Sequence, residues 1–226
     1  MTYDVCTICN SRPCKCRAIF GDVREGKYMA RAGKKVAKGE SLALVFDTET
    51  TGLIDNRSLA LDKLPEVIEF CGILVDLNNG KQKHVVDTFI KPERWPDHVV
   101  GGRGKEKTVT QITGITWDMV KDAPTFKEAW LDIVPVLESA PIVIAHNASF
   151  DREMMDIEAE RLARKIEWPP LVCTIEQTIY VKGARMNLTT LHEWLFGTKF
   201  ENPHRARGDV EALVKCCVEL RKRGEL

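Results

Sequence analysis

A run of apolar residues, Leu42-Ala43-Leu44-Val45-Phe46, leads straight into Asp47-Thr48-Glu49. A short, continuous apolar run reads as a buried central strand, covered on both faces by other elements. Side chains alternate across a strand, so Asp47 and Glu49 point to one face where the strand ends. Two hard oxygen donors on one face suit Mg²⁺ or Mn²⁺ and not thiolate-bound Zn²⁺. Asp-x-Glu is common, and taken alone it reads as a solvated strand end. Thr50-Thr51-Gly52 then leaves the strand, with a glycine that lets backbone approach a ligand closely.

The following segments supply the other layers. Val67 to Leu77 and Lys83 to Ile90 are strand candidates joined through Asn78-Asn79-Gly80, and Asn-Gly favours a type I′ hairpin turn. Phe126, Trp130, Ile133 and Leu137 repeat at helical spacing, with Pro135 predicting a kink or early end. Ile142-Val143-Ile144 is a further buried strand. After Asp151 a helix should carry Met154, Met155, Ile157 and Leu162. Leu188, Leu191 and Leu195 predict a short helix closed by Gly197. Val210, Leu213, Val214, Cys217 and Val218 predict the last helix. Strands first, then mixed helices and strands, give an α/β fold with a mixed sheet and one antiparallel hairpin pair.

Two further acidic motifs stand at element ends. His146-Asn147-Ala148-Ser149-Phe150-Asp151 follows a buried strand, and strand ends are where open α/β sheets gather their sites. Asp151 reads alone as a helix N-cap, His146 as a hydrogen-bonded loop histidine, and Asn147 as ordering the turn or touching substrate. His204-Arg205-Ala206-Arg207-Gly208-Asp209 opens the last helix. Histidine ordinarily titrates near neutrality, so His204 on such a loop suits a general base; its bland reading is a surface histidine.

In this order and spacing, with a histidine five residues before the last aspartate, the motifs resemble the DEDDh family of 3′→5′ exonucleases. Leu64-Pro65-Glu66-Val67-Ile68-Glu69-Phe70 resembles that family's second-strand lead-in, Gln111-Ile112-Thr113-Gly114-Ile115-Thr116 its Gly-Ile-Thr segment, and Cys173-Thr174 a later strand end. The resemblance spans about residues 41–222 and is nearest to proofreading exonucleases such as the epsilon subunit of bacterial replicative polymerase. It implies a ribonuclease H-like fold, with a five-stranded mixed sheet flanked by helices. It implies two divalent metals held by Asp47, Glu49, Asp151 and Asp209: Asp47 bridging both, Glu49 and Asp209 completing the first, Asp151 holding the second. His204 would be the general base, and Thr50, Gly52, Leu53 and Asn147 would contact substrate. The product would be a nucleoside 5′-monophosphate. Thr113 stands where the family often has a histidine, which leaves that substrate contact open, and no residues matching the long C-terminal tail that ties the epsilon subunit to its polymerase follow the last helix, so stable polymerase association is unsupported by the sequence.

The N-terminal part reads differently. Residues 1–16 hold Cys6, Cys9, Cys14 and Cys16, a spacing open between a zinc knuckle and a tail with reduced thiols. Residues 17–40 read as a basic linker, either a solvated tether or a track for phosphates, and 41–226 as the exonuclease domain. Cys71, Cys173, Cys216 and Cys217 lie in apolar segments and read as core residues, which fits a reducing compartment. An apolar fraction of 44% can fill a core, and no apolar run approaches a membrane span, so a soluble cytoplasmic protein is expected. Zero formal net charge does not exclude nucleic acid, because local patches set the field at a site. The expected activity is DNA 3′→5′ hydrolysis in replication or repair. The alternatives are an RNA-trimming relative and a non-catalytic nucleic-acid-binding module.

Overall fold

The structure, a computed structural model, describes residues 41–96, 99–101, 105–200 and 204–226. The cysteines and basic stretch of residues 1–40 lie outside the described residues. A five-stranded mixed sheet carries the fold, in the order β3 (Lys81–Phe89), β2 (Val67–Asp76), β1 (Leu42–Thr50), β6 (Val143–Ala145), β7 (Leu171–Cys173). β1 pairs antiparallel with β2 and parallel with β6, so the apolar run is central. A small ribbon of β4 (Val99–Gly101) and β5 (Lys105–Lys107) stands apart from this sheet. The helices are α1 (Val109–Thr113), α2 (Trp117–Val120), α3 (Phe126–Ser139), α4 (Ala148–Arg161), α5 (Thr174–Lys182), α6 (Leu188–Phe196) and α7 (Ala206–Lys222).

Alternation along β1 divides the core. Leu44 and Phe46 face the layer of α3 and α4, packed with Ile133, Leu137, Met154 and Ile157. Ala43 and Val45 face α6 and α7, packed with Leu191, Val210, Leu213 and Cys217. The same alternation sends Thr48 toward α4 and Asp47 and Glu49 toward α7. Cys71, Cys173, Cys216 and Cys217 are buried and free, as expected of core residues.

Two local expectations are corrected. The β2–β3 hairpin does not turn through a type I′ turn. Asp76 pairs with Lys81 across a longer loop, in which only Gly80 has positive φ (75°). The Asp76 carboxylate accepts from the backbone N–H groups of Ser41 and Asn78 and from the Asn79 amide, and so sets the loop instead. The second correction is at Pro135, which neither ends nor shortens α3; the helix continues to Ser139. Pro135 sits on the exposed face, while Ile133, Val134 and Leu137 are buried. Each such side chain contributes ~1.5–3 kcal/mol on burial, which together outweigh the ~3 kcal/mol cost of an interior proline. The Thr125–Glu128 capping box starts the helix cleanly. The short helix ending at Gly197 (φ 73°) and the buried strand at Val143–Ala145 form as expected.

Candidate active site

The acidic residues converge where β1 ends. Asp47 and Glu49 lie on the α7 side of the sheet, and Asp209 comes from the first turn of α7. One carboxylate oxygen from each lies within 4.8 Å of the other two. Asp209 is not the N-cap of α7, because the helix begins at Ala206 with Arg205 as its cap. Its Oδ2 accepts the His204 N–H at 3.2 Å, while its buried Oδ1 has no hydrogen-bond partner among the described residues.

Asp151 is likewise inside its helix, in the first turn of α4, with Asn147 as the cap at φ 71°. It approaches from the opposite face. Its Oδ1 accepts from the Thr48 N–H at 3.1 Å and the Thr48 hydroxyl at 2.8 Å. Thr48 is therefore the hinge of the site: its neighbours Asp47 and Glu49 face α7 while it holds Asp151 on the α4 side. Asp151 lies outside the close triplet, yet its charge still acts on Asp47.

Packing four acids at one sheet end shifts them all. Burial, then the charges of Asp151, Glu49, Asp209 and Glu69, pushes Asp47 well above the ordinary carboxylate range. Burial, reinforced by Asp209, Glu69 and Asp151, raises Glu49 to about 8. Burial raises Asp151 to about 7 against the Thr48 hydrogen bonds, and Asp209 to about 6 against its bond from His204. Clustered buried carboxylates of this kind call for a cation that favours their ionised forms. Carboxylate oxygens alone, one of them buried and unpartnered, fit a hard divalent ion and lack the sulfur that zinc prefers.

His204 is exposed, with backbone φ 69°, at the lip beside Asp209. Asn147 is exposed on the turn before α4. The Thr50 hydroxyl donates to the Gly52 carbonyl at 2.7 Å, and Leu53 stands 51% exposed beside them. Thr51, Gly52 and Leu53 form one wall of a groove of about 640 Å³ that continues to Lys63, Arg94 and Trp95. His146 matches its bland reading. Its Nδ1 pairs with the Thr174 hydroxyl, and burial lowers it to about 4. Thr113 has its hydroxyl engaged internally, donating to Val109 O and accepting from Ile115 N–H.

The sequence profile of the RNase T exonuclease family matches residues 44–217. The chain belongs to that exonuclease family. It is a DEDDh-type 3′→5′ exonuclease, an enzyme that hydrolyses phosphodiester bonds. Among relatives, this exonuclease is 30% identical to a DNA polymerase III PolC-type protein of Caldanaerobacter subterraneus subsp. tengcongensis, over 93% of this chain and 14% of that protein. A PolC-type protein of Staphylococcus aureus is 28% identical over 88% of the chain and 12% of its own length. The exonuclease thus spans about one seventh or less of these polymerases. Its fold matches the nuclease domain of 3′hExo, a DEDDh member bound to rAMP (TM-score 0.64, 16% identity, 84% of this chain and 96% of that one). It also matches a 3′-exonuclease described in 3′-end-specific recognition of histone mRNA stem-loop (TM-score 0.63, 17% identity, 82% and 83%). The ribonuclease H-like five-stranded sheet expected of the family is present. The family uses divalent metals and acts on nucleic acid. Among the described residues, no helix is long and apolar enough to cross a membrane.

Residues of the site missed from sequence are Glu69 and Arg205. Glu69 stands opposite Glu49 on β2 and is only 2% exposed. Its signal was present: a lone acid in the apolar stretch Val67 to Val75 needs a buried partner.

Proposed function

We propose that this exonuclease removes nucleotides from DNA 3′ ends by a two-metal mechanism, releasing nucleoside 5′-monophosphates. The observation that carries the reading is the convergence of Asp47, Glu49 and Asp209 within 4.8 Å, with Asp151 held beside them by Thr48. Asp47 would contact both Mg²⁺ or Mn²⁺ ions, Glu49 and Asp209 the first, and Asp151 the second. When bound, these ions neutralise the scissile phosphate and lower the pKa of the attacking water. His204 accepts a proton from that water, from a loop position open to solvent. Thr50, Gly52, Leu53 and Asn147 hold the terminal nucleotide, with the exposed Leu53 side chain packing against the base. The PolC-type relatives, named as DNA polymerases, support DNA as the substrate and replication as the setting. Cys6, Cys9, Cys14 and Cys16 would bind one Zn²⁺ and act in substrate or partner docking; their thiolates are soft ligands and the catalytic metals need hard oxygen donors, so the two sites would not exchange roles.

Matched 3′-labelled DNA and RNA oligomers, paired and unpaired, digested with Mg²⁺ or Mn²⁺, test this directly. DNA should be shortened from the 3′ end with release of 5′-monophosphates. Faster trimming of RNA would overturn the substrate, and full turnover in excess chelator would overturn the metals.

A further inference from the structure

We propose that Glu69 and Arg205 form a positioning clamp that fixes both His204 and Asp209 for the reaction; the catalytic half of this rests on the function proposed above. Glu69 is buried near the start of β2, on the sheet face that meets α7. Its two oxygens take the Arg205 guanidinium in a fork, Nη2 to Oε1 at 2.8 Å and Nε to Oε2 at 3.2 Å. Oε2 also accepts the Ala206 N–H at 3.0 Å. One carboxylate thereby anchors the side chain of the α7 cap and the first residue of the helix. The guanidinium also lies over the Phe89 ring, 5.1 Å from its centre, which fixes its plane.

The anchored residues border the two groups that matter. His204 directly precedes Arg205, and its N–H donates to Asp209. His204 holds φ at 69°, a region that a non-glycine residue keeps only when its surroundings over-determine it. Here the surroundings are the clamp on one side and Asp209 on the other. The bond from His204 occupies Oδ2 of Asp209, the buried Oδ1 has no hydrogen-bond partner among the described residues, and one oxygen of this carboxylate lies within 4.8 Å of Asp47 and Glu49. Removing the fork frees the first turn of α7, and the histidine and the carboxylate move together.

Glu69 lies across the strand pair from Glu49 and adds to its repulsion, while Arg205 acts in the opposite sense. With the pair intact, a fifth acid stands beside the cluster as part of a neutral ion pair. A bidentate fork is the arrangement for which arginine and lysine are not interchangeable.

The test uses the full chain with Glu69→Gln, Arg205→Lys and their double variant. Arg207→Ala is the control, since Arg207 bridges Asp87 and Glu211 on the exposed side of the same turn. Each single variant should lower kcat at saturating metal by ~10–100-fold, the range for groups that orient metal ligands. KM should stay within about twofold, because the proposed nucleotide contacts are elsewhere. The double variant should be no worse than the poorer single one, and Arg207→Ala should match wild type. Without metal, hydrogen exchange at residues 206–209 should be faster in both single variants. Unchanged kcat and exchange would overturn the clamp. So would additive losses, losses that follow the melting temperature, or an equal loss in Arg207→Ala. If wild type hydrolysed neither DNA nor RNA, the proposed function would fail, and the exchange measurement would still decide whether the clamp holds the turn.

Discussion

Without metal, this protein should lose stability as pH rises from about 5 to 8, and Glu49→Gln should remove much of that loss. Glu49 moves from an ordinary 4.5 to about 8, because it is buried and faces Asp209, Glu69 and Asp151. Between those values the folded protein holds a proton that the unfolded chain has released. Folding then takes up protons, so stability falls as pH rises through this window. Below about 4.5 both states are protonated at this residue and its penalty vanishes. At ~1.4 kcal/mol for each pKa unit, the full distance sets an upper bound of ~5 kcal/mol. Water penetration and side-chain relaxation reduce such penalties, so ~1–3 kcal/mol is the working figure. For a domain of this size that corresponds to ~3–10 °C in Tm. Differential scanning calorimetry in chelator from pH 5 to 9 measures it. Wild type should melt progressively lower above pH 5. Glu49→Gln should melt higher than wild type near pH 8.5 and show a shallower slope, with Asp151 and Asp209 still contributing because they rise to about 7 and about 6. Added Mg²⁺ should raise the wild-type Tm most at high pH and move the variant little. A flat wild-type profile, or a variant that melts lower at pH 8.5 without metal, would refute the reasoning.

Other expectations follow from the same geometry. Asp47→Asn should be the most damaging single carboxylate change in steady-state assays, since Asp47 has the other three acids as electrostatic neighbours; turnover near wild type at saturating Mg²⁺ would remove its bridging role. His204→Ala should slow the chemical step by ~10²–10⁴-fold with metal affinity retained; calorimetric metal titration showing collapsed affinity instead would make it a ligand. Thr48→Val keeps the shape and the backbone N–H but removes the 2.8 Å hydroxyl bond to Asp151, so single-turnover rates should fall ~10-fold. Deleting residues 1–40 should preserve turnover on short oligomers and flatten the salt dependence of binding to long nucleic acid. Stoichiometric zinc, by elemental analysis, should be lost with that deletion.

Much of the fold was legible because its strongest signals are local. The run Leu42 to Phe46 could be read as a central strand from composition alone, and the split of Asp47 and Glu49 from Thr48 follows from the two-residue period. Where reading failed, a longer-range contact decided. Asn79-Gly80 would favour a tight turn, but the Asp76 carboxylate ties the loop to Ser41, 35 residues away. Pro135 would stop an isolated helix, but α3 is held by the sheet it covers. Helix starts shifted for a related reason. Asp151 and Asp209 look like N-caps, yet each sits in its helix's first turn and faces the other acids, while Asn147 and Arg205 take the cap positions.

The candidate site shows the same division. Four acids and a histidine were legible because three short motifs contain them. Their supports were not, because Thr48 reaches Asp151 across 103 residues and Glu69 reaches Arg205 across 136. An acid within the apolar stretch Val67 to Val75 cannot be buried alone, so a cation must come from elsewhere in the chain. The cation it finds lies between His204 and Ala206, in the motif that also carries Asp209. A partner drawn from any other surface would neutralise Glu69 equally well; only one drawn from this turn also fixes the orientation of the last carboxylate. The placement of that ion pair therefore ties the burial of a β2 acid to the geometry of the reaction.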